Sequence, residues 1–222
     1  VHGAVANNVL LDGVDLNETA RGWGILIENV DRGRIEENIF ANSASTPFAS
    51  WGIGIGGPDS APVFNLTVEG NVFYNWYNAF SVLRRTAQDI SVLRNTFVTN
   101  RPEEVLIDHR IEETFDNVVY SGNEYFQSDS SQRWFAFDFR EITLAQWIED
   151  FDRQARVLQS PAGRFPNQNW TLNSYASSNG FGNAESLVSS MRTQRRGLWR
   201  EPLTARSVVD DAREAFGLPA LP

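Results

Sequence analysis

The chain contains no cysteine, which excludes disulfides, thiolate zinc sites and a cysteine nucleophile. It also lacks any run approaching the roughly 18 consecutive apolar residues that a membrane-spanning helix needs. Positive charge is scarce: 19 Lys+Arg stand against 28 Asp+Glu, a net charge of −9. Such a balance repels phosphate backbones and anionic membrane surfaces unless a local basic patch overrides it, so neither nucleic acid nor membrane is an expected partner. Sugars or cations fit better. Tight hairpin turns are sparse, Asp12-Gly13 being the one Asn-Gly or Asp-Gly step in residues 1–140, which argues against a β-sandwich built from closely spaced hairpins. The opening Val1-His2-Gly3-Ala4-Val5-Ala6 has no initiating Met and no charged stretch before an apolar one. It leads directly into strand-like sequence, and further coils are expected to precede it.

What the chain does have is a repeat. Glu37-Asn38-Ile39-Phe40, Gly70-Asn71-Val72-Phe73, Arg94-Asn95-Thr96-Phe97 and Gly122-Asn123-Glu124-Tyr125 place Asn at spacings of 33, 24 and 28 residues. Each follows an alternating apolar and polar run, such as Leu66-Thr67-Val68-Glu69 or Ile90-Ser91-Val92-Leu93, which is a strand period. A second alternating run lies between successive Asn motifs: Gly24 to Ile27, Gly52 to Ile55, Ala79 to Val82, Val105 to Ile107 and Phe135 to Phe137. Strands recurring at this interval without helix-length connections can bury their apolar faces only by stacking coil on coil. An all-β solenoid, a right-handed parallel β-helix, follows over residues 1–140. The recurrent Asn suits a tight corner, where it tolerates a left-handed backbone and can pair with the Asn one coil away. Phe40, Phe73 and Phe97 are expected to stack inside.

After about residue 140 the pattern turns helical. Thr143 precedes Leu144 to Phe151, and Asn183 and Thr204 are N-caps for segments over Ala184 to Arg195 and Thr204 to Phe216,. Residues 141–222 are expected to form a small α-helical and loop C-terminal cap.

The Asn-x-Phe coils over residues 24 to 126 resemble right-handed parallel β-helix proteins of the pectate-lyase-like superfamily from polysaccharide-degrading bacteria. The tail, through Leu144-Ala145-Gln146-Trp147, Asn173-Ser174-Tyr175 and Gln194-Arg195-Arg196-Gly197-Leu198-Trp199, is similar to that of secreted β-helix proteins of unassigned function. The resemblance implies a secreted protein, extracellular or periplasmic, that acts on polysaccharide: a lyase or related enzyme on acidic glycans. The alternative is a non-catalytic glycan-binding, adhesive or surface module, because this superfamily hosts many chemistries. Association with preceding coils, or self-association, is also expected.

Aligning the second strands on their inward apolar pairs, with Val105/Ile107 set against Phe135/Phe137, would stack Asp108 on Asp138. It would also make a column of Arg85, Arg110 and Arg140, beside Arg84 and His109. Stacked carboxylates can share a proton or hold a cation such as Ca²⁺; no other cofactor is indicated. Arg84, Arg85, Arg110 and Arg140 could bind a uronate, with His109 as base and Asp108, Asp138 and Arg110 completing the catalytic set. The plain alternative is an ion-pair ladder on the surface. A second candidate is aromatic: Tyr74, Trp76 and Tyr77 could stack on sugar rings, with Trp51 and Trp134 on nearby coils, or could cover the core edge. Gly52-x-Gly54-x-Gly56-Gly57 is expected to leave a shallow floor for a chain to lie on.

Overall fold

The computed structural model describes residues 3–11, 22–42, 51–56, 62–83, 87–102, 104–110 and 117–222. The chain divides into two compact units, Val1–Gln159 and Ser160–Pro222.

The first unit is a parallel β-solenoid of about 4 turns. Three strands recur per turn: β1 (Gly3–Ala6), β2 (Val9–Leu11) and β3 (Trp23–Ile27), then β4 (Val30–Glu36), β5 (Ile39–Ala41) and β6 (Trp51–Ile55). They continue as β7 (Val63–Glu69), β8 (Val72–Tyr74) and β9 (Tyr77–Val82), then β10 (Ala87–Leu93), β11 (Thr96–Thr99) and β12 (Ile107–His109). The last are β13 (Val118–Ser121), β14 (Glu124–Gln127) and β15 (Phe135–Phe137). β16 (Arg140–Ile142) folds back antiparallel on β15, helix α1 (Leu144–Asp150) follows, and β17 (Arg156–Val157) pairs parallel with β14. The sheets therefore run β1-β4-β7-β10-β13, β2-β5-β8-β11-β14-β17 and β3-β6-β9-β12-β15-β16.

Two internal ladders explain why this sequence winds. The rings of Phe40, Phe73 and Phe97 stack as expected and Tyr125 extends the stack, all nearly parallel, with successive centroids 4.6, 4.9 and 5.6 Å apart. Beside them runs a polar ladder of Asn8, Asn38, Asn71, Asn95 and Asn123. In each step the backbone N–H and the Nδ2 of one Asn donate to the Oδ1 of the next, at 2.9–3.1 Å. From Asn38 onward each Nδ2 also donates to a carbonyl of the preceding coil, those of Val5, Ile35, Val68 and Val92. A fully buried amide is tolerated because both ends of it are paired.

The left-handed residue at this corner is not the Asn itself. It is the residue before it: Asn7, Glu37, Gly70, Arg94 and Gly122 carry φ of +50 to +68°. The turn takes its unusual backbone one position early. The Asn is then left with N–H and Nδ2 aimed together at one neighbouring oxygen.

The ladder ends on a carboxylate. Asp152, fully buried, accepts from Gly122 N–H (2.9 Å), Asn123 N–H (3.2 Å), Asn123 Nδ2 (2.8 Å) and the Tyr125 hydroxyl (3.1 Å). α1 closes the same end. Thr143 and Gln146 form a capping box at its start, and Trp147 lies flat on Phe135 at 4.4 Å while donating Nε1–H to the Tyr125 hydroxyl at 3.1 Å.

Residues 160–222 fold around a separate small core of Phe165, Trp170, Tyr175, Leu187, Leu203 and Phe216. Its helices are α2 (Leu172–Ser178), α3 (Ala184–Arg192) and α4 (Ala205–Ala215), capped by Thr171, Asn183 and Thr204. The last two are the expected ones. α2 shows no long apolar period; its Thr171–Ser174 capping box starts it and burial of Tyr175 and Ala176 holds it.

Candidate functional site

The third sheet decides where the candidate residues go. Ile107, not Val105, pairs with Phe135 and with Phe80, so His109 pairs with Val82 and Phe137. The expected alignment is thus corrected by two residues. His109 takes an inward place that hydrophobicity alone had assigned to an aliphatic residue. It is fully buried, its Nδ1 lies 3.0 Å from the Tyr120 hydroxyl and its ring packs on Phe137. A polymer on the surface cannot reach it.

The consequence for the charged columns is direct. Asp108 is flanked by Ser81 and Ala136, not by Asp138. Backbone hydrogen bonds place Arg110 in line with Leu83 and Asp138, so it does not stack on Arg140. Asp138 and Phe139 form the two-residue turn of the β15–β16 hairpin, with φ of 48° and 60°, and Asp138 pairs with Arg140 at 3.3 Å on the surface. Arg84 and Arg85 lie outside the described residues. The carboxylate pair that would have shared a proton or held Ca²⁺ is not assembled, and no group of three His, Asp or Glu among the described residues could hold a metal.

The aromatic candidates also separate. Tyr74 is buried in β8, where its hydroxyl accepts from Asn100 Nδ2 at 2.9 Å and burial pushes its pKa up. Trp76 points into the core, edge-on to Phe40, and its ring fills the space beside Gly24. Trp134 is buried too. Tyr77 alone of the expected trio stays half-exposed.

Tyr77 belongs to a column: Trp23, Trp51 and Tyr77 pair in register at the starts of β3, β6 and β9. Trp23 and Trp51 meet edge to face at 4.2 Å, and Trp51 and Tyr77 stack at 6.3 Å. The expected glycine floor is covered at Gly54, where a Cβ would lie 2.5 Å from the Trp23 ring, and Gly57 lies outside the described residues. Trp23, with Asn78 and Ser81 below, was not singled out from the sequence. The aromatic recurrence at residues 23, 51 and 77 is the signal that could have found it.

Asp108 anchors the polar half of this face. Buried on β12, its Oδ2 accepts from Arg110 Nε at 2.7 Å and from Asn78 Nδ2 at 3.1 Å. Burial raises its pKa above the ordinary carboxylate value, and the Arg110 hydrogen bond and charge pull it back. The Arg110 guanidinium carbon sits 5.6 Å from the centre of the Trp51 ring, a cation–π distance,. Around it are three enclosed polar atoms without a hydrogen-bond partner among the described residues: Trp51 Nε1, Asn78 Oδ1 and Ser81 Oγ. Native proteins leave few such groups.

In the second unit, a cleft of about 510 Å³ is lined by Tyr175, Glu201, Asp210, Asp211 and Glu214. Two of its acids serve the fold: Asp211 accepts from Trp170 Nε1 at 2.6 Å and Asp210 from Leu221 N–H at 2.9 Å. No helix among the described residues is long and apolar enough to cross a membrane. The chain matches no protein-family model, no curated protein and no solved structure.

Proposed function

We propose that the solenoid is a secreted carbohydrate-binding β-helix of the pectate-lyase-like kind, and that it holds an acidic polysaccharide against the outer face of its third sheet. The observation that carries this reading is the Trp23–Trp51–Tyr77 column beside Arg110, whose guanidinium is held between Asp108 and Trp51. Half-exposed aromatic rings on consecutive coils, roughly 4.8 Å apart, give a sugar chain several apolar faces to lie on. A planar guanidinium suits the carboxylate of a uronic acid.

Binding is preferred over turnover because a lyase needs a base that touches the polymer, and His109 is enclosed,. The test is retardation of the protein in gels containing pectate, alginate, ulvan or a glycosaminoglycan, with a neutral glycan as control. The unsaturated product of β-elimination is followed by ultraviolet absorbance in parallel. Retardation by at least one acidic glycan is expected, weakened about tenfold in Trp51→Ala and in Arg110→Ala, the loss of roughly 1.4 kcal/mol that a good cation–π or charge-assisted contact supplies. Absence of retardation by every glycan, or variants that bind as the parent does, would overturn the proposal. Absorbance growth would replace binding by lyase activity.

A further inference from the structure

The turn between β15 and β16 holds a side chain that the fold does not use. Asp138 and Phe139 both have positive φ, 48° and 60°, in the kind of two-residue hairpin connection that Asn-Gly or Asp-Gly ordinarily fills. Asp138 suits the first place. Phe139 stands where glycine belongs, because in the left-handed region the Cβ of any other residue crowds its own backbone. Eleven other non-glycine residues among those described have positive φ, and all eleven are polar or charged. Phe139 is the one apolar exception.

Burial does not offset that strain. Phe139 is 74% exposed, and its ring meets no other ring or cation among the described residues. A large apolar side chain set in water on a left-handed backbone disfavours the folded state on both counts. Backbone outliers of this kind cluster where a protein grips a ligand.

The surroundings of the turn name the ligand. His109 pairs with Phe137, so Arg110 comes level with Asp138, and Phe139 lies one strand across and one residue further on. Trp51 flanks Arg110 from the other side, since β6 precedes β12 by two strands in the sheet and β15 follows it. Arg140, next in the chain, has its side chain 72% exposed and meets Asp138 at 3.3 Å. Coils roughly 4.8 Å apart therefore contribute Trp23, Trp51, Tyr77, Arg110 and Phe139 in turn, one stacking or cationic group each. We infer that Phe139 is a sugar-stacking residue that carries the acidic-glycan surface past Arg110 to the end of the third sheet, its partner being taken from the glycan reading above, on which this rests. Arg140 offers its guanidinium to a uronate carboxylate at the same place.

The test sets stability against binding in the full chain. Phe139→Gly relaxes the backbone, so the thermal midpoint should rise by about 2 °C, as one relieved position gives in a chain of this size. Affinity should move the other way. In the panel of pectate, alginate, ulvan and glycosaminoglycan gels, retardation of this variant should weaken about fivefold for each acidic glycan that retards the parent, the loss of one stacked ring. Phe139→Tyr keeps the ring and should bind as the parent does. Leu198→Ala removes an equally exposed apolar side chain from the other unit and should also leave binding unchanged. A fall in the midpoint of Phe139→Gly overturns the inference, because the ring would then serve the fold. Undiminished retardation of Phe139→Gly overturns it too, as does an equal loss in Phe139→Tyr or in Leu198→Ala. In each of these cases a retarded parent leaves the glycan reading standing, whereas a parent retarded by no glycan defeats both.

Discussion

The inner corner of the solenoid and the outer face of its third sheet are built from adjacent strands, yet follow opposite rules. At the corner, the same residue recurs coil after coil and every buried donor and acceptor between Asn38 and Asn123 is paired. On the outer face, the aligned positions read Leu26, Gly54, Ser81, Asp108 and Ala136, and three nearby enclosed polar atoms have no partner among the described residues. Repetition with full pairing is what stability requires of a stacked structure. Variation with unpaired polar atoms costs stability.

The largest effect is expected at the corner. Asn95→Leu removes the acceptor of two Asn71 N–H groups and the donor to Val68 O and Asn123 Oδ1. Leaving several buried groups unpaired should cost about 3 kcal/mol or more, read from urea unfolding, with no specific loss of glycan affinity in protein that remains folded. A loss below about 1 kcal/mol would break the contrast, since it would show the ladder to be as dispensable as a surface pair.

An intermediate effect is expected where the outer face touches the fold. Gly54→Ala puts a methyl into the Trp23 ring and should cost about 1–3 kcal/mol as overpacking, with a shift in tryptophan emission as Trp23 moves. If glycan binding weakens along with it, the column acts as one platform. Unchanged emission and stability would mean that Trp23 has room to spare.

The smallest effect is electrostatic. The folded pKa of Asp108 lies above its ordinary 3.8 because burial outweighs the Arg110 pull. A raised carboxyl pKa means that the folded state holds its proton more tightly than the unfolded chain. Its contribution is therefore fully present below the unfolded pKa and is lost as pH rises through the folded value. Asp108→Asn should flatten the stability profile on the alkaline side of the ordinary carboxylate pKa. An identical pH slope in parent and variant would show that Asp108 is solvated in both states.

Much of this fold was legible in the chain, because a repeat announces itself. The Asn-x-Phe tetrapeptides named the corner, the stacked rings and the parallel order without any knowledge of contacts, since each turn must solve the same burial problem. The site was less legible. Alternation is unchanged by a slip of two residues, so Val105/Ile107 and Ile107/His109 look equally inward until the neighbouring coils are present. Counting would have helped: Ile107 and Phe135 each stand 12 residues after their ladder Asn. Aromatic side chains near strand ends posed the same difficulty. Tyr74 and Trp76 went inside and Tyr77 stayed at the surface, a choice set by which wall has space for a ring.

By itself, then, the sequence determined that the chain winds and where its corners lie, because those follow from local alternation and the interval of the repeat. Only the tertiary structure decided that His109 belongs to the core, that Asp108 faces Ser81, and that Asp152 terminates the Asn ladder. Each of these depends on what stands one coil away, and connections of unequal length hide that distance from the linear text.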